Sequence, residues 1–205
     1  MEQRTNEWHL SRLGKLTASR FGDAISTLKN GARTQASINY MYELLAERLT
    51  GQQADFYVNK AMAWGIEQEA AARQAYEAET KQSVVECGFL DLPNLPMCGA
   101  SPDGLVGDYG LVEIKCPNST TFIKWVLLDE IPPEHKPQMA LQLLATGREW
   151  CDFVAYDPRI KSLEILIKRY EPTADELKEY RDKAIDFLIE LAQLEEKFKD
   201  KEPLF

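Results

Sequence analysis

A chain of 205 residues, 44% of them hydrophobic, can bury a substantial core, and the expected organisation is a single domain over residues 1–205. The net charge of −9, from 33 acidic and 24 basic residues, argues against a general nucleic-acid binder, because neutralising phosphate takes lysine and arginine. No apolar run approaches the length of a bilayer, no signal-peptide core follows the charged opening MEQRTNEWH, and 4 scattered cysteines without a CxxC pair, with only 2 histidines, signal neither a disulfide framework nor a zinc site; a soluble cytosolic protein with reduced cysteines is expected.

The charge is uneven. Arg4, Arg12, Lys15, Arg20, Lys29 and Arg33 cluster near the start, whereas residues 171–202 are rich in Asp and Glu, so a basic patch on an acidic body stays open. The opening NEWHLSRLGKLTASRFGDAIS reads as a short helix, a break at Gly14, and a second helix starting near Thr17 or Ser19. A helix start offers free N–H groups to an anion, and Arg12 lies just upstream; on residue types alone, ordinary capping is the first reading.

Residues 36–49 form an amphipathic helix with Ile38, Met41, Leu45 and Leu49 in one stripe, ended by Gly51. In the loop that follows, Phe56 and Tyr57 could stack on bases, although loop aromatics more often pack on the body. The next helix, 61–79, sets Met62, Gly65, Glu69, Ala72 and Tyr76 on one face of mostly small or apolar residues. A carboxylate in that stripe is costly unless paired or metal-bound; a partly exposed Glu69 at the stripe's edge is the alternative. Residues 82–92 read as one strand interrupted by Glu86, and 93–96 as a turn.

Residues 99–117, GASPDGLVGDYGLVEIKCP, carry the clearest chemistry. The alternation in LVEIKC points Val112, Ile114 and Cys116 one way and Glu113 and Lys115 the other. Gly104, Gly107, Asp108 and Gly110 make the intervening run turn-rich, so a hairpin can bring Asp103 beside Glu113 with Lys115 on the same face. Hard divalent ions such as Mg²⁺ take one or two carboxylates plus waters and phosphate oxygens, and the Ile114 carbonyl could add a ligand. A nearby ammonium can orient the water that such an ion acidifies. The pattern Asp-x9-Glu-x-Lys therefore points to metal-dependent phosphodiester hydrolysis, against the bland alternative of a solvated hairpin face.

Beyond it, 118–128 is a helix with Phe122, Trp125 and Val126 inward, and 136–146 is a helix closed by Gly147 with Met139, Leu143 and Leu144 in the core. Its Gln138 and Gln142 lie one turn apart, and on residue types both are structural. Residues 151–156 and 163–170 form a strand pair, and 173–199 a long amphipathic helix. The fold class is α/β, a central mixed β-sheet flanked by helices.

Several separated stretches together resemble one family. Ser101-Pro102-Asp103-Gly104 and Glu113-Ile114-Lys115-Cys116-Pro117 resemble the PD-(D/E)xK nucleases; Ala63-Trp64-Gly65 ahead of Glu69, the order Arg12, Thr17, Ser19, and AYDPR at 155–159 narrow this to the phage lambda exonuclease (YqaJ-type) family. The likeness covers roughly residues 10–159. It implies a restriction-endonuclease-like core in which Asp103, Glu113 and the Ile114 carbonyl hold one metal and Glu69 helps with a second. Lys115 and Gln138, chosen over Gln142 by spacing, would orient the water, with Glu86 a further acidic member. Arg12, Thr17, Ser19 and Ser101 would receive the 5′-phosphate.

The implied activity is Mg²⁺-dependent (Mn²⁺ tolerated) exonucleolysis of linear double-stranded DNA from a 5′-phosphorylated end, giving mononucleotides and a 3′ single strand. The implied setting is a homotrimeric ring, acidic outside and basic in its channel, working with a single-strand annealing recombination protein in the cytoplasm of a bacterial host, from a phage or prophage. Two family features depart: residues 118–121 lack the extra basic residue of lambda-type enzymes, and the close cysteine spacing of the superfamily's iron–sulfur nucleases is absent. The alternatives are a PD-(D/E)xK endonuclease or resolvase, and a non-catalytic DNA-end-binding scaffold.

Overall fold

The alternating run LVEIKC forms the strand around which the fold is laid, β6 (Gly110–Lys115). A computed structural model describes residues 2–53 and 60–199; Phe56 and Tyr57, the loop aromatics weighed between base stacking and packing on the body, lie outside the described residues. β6 pairs antiparallel with β5 (Gly104–Val106), Gly104 opposite Val112, and parallel with β7 (Trp150–Tyr156), Glu113 opposite Phe153. β2 (Val84–Val85) and β8 (Ile165–Tyr170) add antiparallel edges, giving a mixed five-stranded sheet in the order β2-β5-β6-β7-β8.

The period-2 alternation of β6 decides which face each helix covers. On one face, Ala72 and Tyr76 of α4 (Lys60–Thr80) pack on Val106, Val112, Ile114 and Val154. On the other, Phe122 and Trp125 of α5 (Ser119–Leu128) and Met139 and Leu143 of α6 (Lys136–Thr146) pack on Leu111, Phe153 and Ala155. Glu113 and Lys115 thus emerge on the α6 side, and α4 approaches from behind Ile114.

A second, three-stranded sheet holds β1 (Leu16–Thr17) parallel to β4 (Leu95–Ala100), with β3 (Leu90–Leu92) antiparallel to β4. Its core joins α2 (Ala18–Ala24), α3 (Gln35–Thr50), the Leu141 side of α6, and α7 (Ala174–Lys199) through Phe21, Tyr40, Leu44 and Phe187. α6 therefore lies between two cores and is buried almost all round, as its apolar composition requires. The short helix α1 (Asn6–Arg12), capped by Thr5, leads into β1. No helix among the described residues is long and apolar enough to cross a membrane.

Three local expectations are corrected. The strand over 82–92 is two strands in different sheets, β2 and β3, and the chain leaves the first at Glu86, whose exposed carboxylate pairs with Arg73 of α4. The turn over 93–96 contracts to Pro93-Asn94, with Asn94 in the left-handed region at φ 63° and Pro96 already inside β4. On α3 the inward stripe is rotated: Met41 and Leu45 are buried with Tyr40 and Leu44, while Leu49 is exposed, because Tyr40 stacks on Phe187 of α7 at 6.0 Å between centroids.

Candidate active site

The hairpin places Asp103 at the mouth of β5, where its Oδ2 accepts a hydrogen bond from the Ile114 N–H at 2.7 Å. An extended residue directs its N–H and C=O to the same strand edge, so the Ile114 carbonyl faces the Asp103 side. Glu113, only 1% exposed, projects toward α6. Its Oε2 accepts from Gln142 Nε2 at 2.5 Å, and its Oε1 forms an ion pair with the Lys115 ammonium. Lys115 Nζ also donates to Gln138 Oε1 at 3.2 Å.

The electrostatics follow from this crowding. Burial and then the neighbouring Glu113 charge push the Asp103 carboxyl well above the usual carboxylate range, only partly offset by Lys115. Burial alone would lower the Lys115 pKa, but Glu113 and Asp103 reverse this and hold it above the ordinary lysine value. Lys115 is therefore a fixed cation. His135, wedged between Trp125 and Phe153, is pushed down to about 4 by burial and then by Lys115, so it is neutral at physiological pH.

These donors fit a hard divalent ion. Glu113 Oε1 is buried and accepts no well-aligned hydrogen bond, and burial and the Glu113 charge both penalise the ionised form of Asp103, a penalty that a bound cation would relieve. No cluster of three or more metal-binding His, Cys, Asp or Glu side chains is present among the described residues; the donors that could hold an ion here are the Asp103 and Glu113 carboxylates and the Ile114 carbonyl, with water. The cysteines are free; Cys98 and Cys151 are buried.

Glu69 of α4 reaches the same cavity and raises the Asp103 pKa further, yet both of its oxygens are engaged. Oε1 accepts from Arg73 at 3.2 Å, and Oε2 pairs with Arg4. Glu86 does not join the group: it is 63% exposed and stands on the outer side of Arg73, touching Glu69 only through that guanidinium. No other part of the described chain packs closely against Gly65: a Cβ there would meet nothing within 4 Å, and this part of α4 lines the cavity.

Arg12, Thr17, Ser19 and Ser101 also line this cavity, of about 790 Å³. The Arg12 guanidinium lies 4.0 Å from the Trp8 ring centroid and donates to Ser101 Oγ at 3.5 Å and Ser19 Oγ at 3.4 Å. Thr17 does not cap α2 with its side chain; its hydroxyl lies 3.4 Å from Ser19 Oγ and 3.3 Å from the Tyr40 hydroxyl. Burial lowers the Arg12 pKa from the usual arginine value, and no carboxylate among the described residues pairs with its guanidinium. Such a donor set is matched to an anion. Arg4, Lys15 and Arg20 from the basic N-terminal cluster also line the cavity, whereas Arg33 turns away to Glu190.

Asn118, in the stretch lacking the expected basic residue, caps α5 by accepting from the Thr121 N–H at 2.9 Å. AYDPR acts as a clamp: Arg159, bonded to the fully buried Asp157, donates to the Pro117 carbonyl at 3.2 Å and stacks over Trp64 at 4.4 Å, tying the end of β6 to α4. Sequence reasoning missed Trp8 and Arg73, set Gln142 aside in favour of Gln138, and placed Arg4 only in the basic cluster near the start. Arg73 carried a signal, its i,i+4 spacing from Glu69.

Carboxylates, a lysine and a carbonyl at a hairpin's mouth, with an arginine–serine donor set in the same cavity of a mixed α/β fold, are the arrangement expected of a nuclease. A sequence profile of the YqaJ-like viral recombinase domain matches residues 7–149, and the chain belongs to that family, in keeping with the lambda-exonuclease likeness of its motifs. The chain is 43% identical to an alkaline exonuclease, LHK-Exo, from Laribacter hongkongensis, with a TM-score of 0.87 and coverage of 95% of this chain and 96% of that one. The structure of LHK-Exo in complex with dAMP superposes with a TM-score of 0.88 at 42% identity, over 95% and 96% of the two chains. A phage-related exonuclease from Haemophilus somnus 129PT shares the fold, with a TM-score of 0.63 at 15% identity over 90% of this chain and 96% of that one. No curated protein matches the chain.

Proposed function

We propose that this chain, as one exonuclease domain, degrades the 5′ strand of linear double-stranded DNA from a phosphorylated end, releasing mononucleotides and leaving a 3′ single strand for recombination. The observation that carries the reading is the sharing of one cavity by the Arg12–Ser19–Ser101 anion pocket and the Asp103–Glu113–Lys115 set. A terminal phosphate in the first sets a neighbouring phosphodiester before the second. A mononucleotide bound to LHK-Exo supports the product class.

Asp103, Glu113 and the Ile114 carbonyl would hold Mg²⁺, or Mn²⁺ with the same oxygen preference, and Glu69 a second ion. The ion supplies Lewis-acid stabilisation of charge on the phosphate and the departing 3′ oxygen. Lys115, a fixed ammonium held between Glu113 and Gln138, donates to and orients the attacking water rather than taking its proton. Gln138 Oε1 sets the direction of that donor.

A homotrimeric ring would carry the acidic surface outward and these basic cavities toward the DNA. The setting is the cytoplasm of a bacterial host carrying the phage or prophage, with a single-strand annealing protein as partner.

Digestion of a linear duplex in Mg²⁺ tests the reading, comparing 5′-phosphate with 5′-hydroxyl ends and using Lys115→Ala as control. Loss of the phosphorylated strand from its 5′ end, absent in the variant, is expected. Cutting of closed circles at a similar rate would make the protein an endonuclease, and DNA binding without cleavage would make it a scaffold.

A further inference from the structure

Glu69 carries two guanidinium partners of opposite character. Arg73 is its neighbour one helical turn along α4, is only 16% exposed, and holds Oε1 from behind. Arg4 comes from a segment distant in sequence and holds Oε2 from the cavity side, with its own side chain 46% exposed. The backbone on either side of Arg4 is pinned: Gln3 Nε2 donates to the Cys87 and Pro102 carbonyls, both at 2.9 Å, and the Thr5 hydroxyl caps α1. The Pro102 anchor places this segment immediately beside Asp103. Between these anchors Arg4 sits at φ 66°, a left-handed conformation that a non-glycine residue adopts only when its surroundings impose it.

We propose that Arg4 is an exchangeable counter-ion. Its guanidinium occupies the cavity-facing oxygen of Glu69 while the site holds neither metal nor DNA. It yields that oxygen to a divalent cation when a DNA phosphate takes the guanidinium instead. The inference rests on the reading of Glu69 as a ligand of the second ion. An exposed ion pair is weak and easily broken, a fixed backbone keeps the freed side chain within the cavity, and guanidinium binds phosphate oxygens as readily as carboxylate. Arg73 stays behind to keep Glu69 aimed. The exchange makes metal and DNA bind cooperatively, since each removes the competitor of the other.

Two measurements on the full chain test it. In calorimetric titration of the DNA-free protein with Mn²⁺, Arg4→Gln should tighten the weaker binding event by about two- to fivefold, the strength of one exposed ion pair. Glu69→Gln should abolish that event, alone or combined with Arg4→Gln. In fluorescence anisotropy with a 5′-phosphorylated duplex in Ca²⁺, Arg4→Gln should reduce the salt dependence of binding by about one phosphate contact. Unchanged Mn²⁺ affinity or an unchanged salt slope in Arg4→Gln, with the Glu69→Gln loss intact, overturns the exchange alone. A Glu69→Gln titration identical to wild type overturns the ligand assignment of Glu69, and the exchange with it.

Discussion

Gln142 Nε2 donates to Glu113 Oε2 at 2.5 Å in a space closed to solvent, one turn of α6 beyond Gln138, whose Oε1 accepts from Lys115 Nζ at 3.2 Å. The two glutamines divide the support of the site. Gln142 fixes the buried carboxylate so that Oε1 stays directed at the cavity, and Gln138 fixes the ammonium.

The two should therefore fail differently when removed. Gln142→Leu leaves Glu113 Oε2 buried without a donor, at a cost of about 1–3 kcal/mol in stability. It should also weaken Mn²⁺ binding roughly 10-fold or more, as loss of support to a metal ligand does. Gln138→Ala, at a partly exposed position, should cost about 1 kcal/mol or less while lowering kcat. Urea denaturation paired with Mn²⁺ titration checks this; equal stability losses in the two variants would contradict the division.

The Asp103 carboxyl gives metal binding a pH sign. Its folded pKa is raised, by burial and then by Glu113, so the metal-free folded protein binds more protons than the unfolded chain above the ordinary aspartate range. Stability of the metal-free protein should fall as pH rises through that window. Metal binding needs the ionised carboxylate, so affinity should strengthen by up to about tenfold per pH unit there, with one proton released. Calorimetry in two buffers of different ionisation enthalpy measures the release. Asp103→Asn should remove both the release and the strong binding event.

How much of this was legible in the sequence varies by residue. β6 was readable because its period of two and its glycine-rich approach are local, and local order carried Asp103, Glu113 and Lys115 to one place. Arg12, Thr17, Ser19 and Ser101 were readable as a likeness; that the Arg12 guanidinium donates to Ser101 and lies over the Trp8 ring is visible only in the fold. Gln142 was not readable, because a buried glutamine in an apolar helix looks structural until the carboxylate above it is known. Arg4 was not readable either, since its contact with Glu69 spans 65 residues. The 82–92 run misled because two short strands with one polar break look alike whether they continue in one sheet or part into two.

His135 makes stability acid-sensitive in a defined window. Its pKa is lowered from 6.5 to about 4, by burial and then by the Lys115 charge. The unfolded chain takes up the proton first as pH falls, so the contribution is full above about pH 6.5 and is lost progressively toward pH 4, by up to about 3 kcal/mol. Its ring neighbours and charge partner are Trp125, Phe153 and the Lys115 cation, and the carboxylates of Asp23 and Glu134 line the same cavity. Denaturation midpoints for wild type and His135→Gln at pH 7 and pH 4.5 should show a smaller acid loss in the variant. Parallel losses would assign the acid sensitivity to other groups.

Gly110 sets how α4, and with it Glu69, is seated on the sheet. A Cβ at Gly110 would overlap the ring of Trp150, its register partner on β7. That ring is covered by the Arg169 guanidinium at 3.6 Å, and Arg169 donates to Asp152 Oδ1 at 2.8 Å. Asp152 Oδ2 in turn accepts from the hydroxyl of Tyr76, the fully buried anchor of α4, at 2.7 Å. Moving Trp150 thus disturbs the chain of contacts that holds α4 in place. Gly110→Ala should destabilise by about 1–3 kcal/mol, the usual range for overpacking, and lower the melting temperature by roughly 3–10 °C for a chain of this size. Trp150→Ala removes the obstructing ring, so adding Gly110→Ala to it should cost far less than Gly110→Ala costs in wild type. Thermal denaturation of the four proteins completes the cycle. Additive losses would mean that the glycine is needed for its backbone conformation rather than for the space that Trp150 fills.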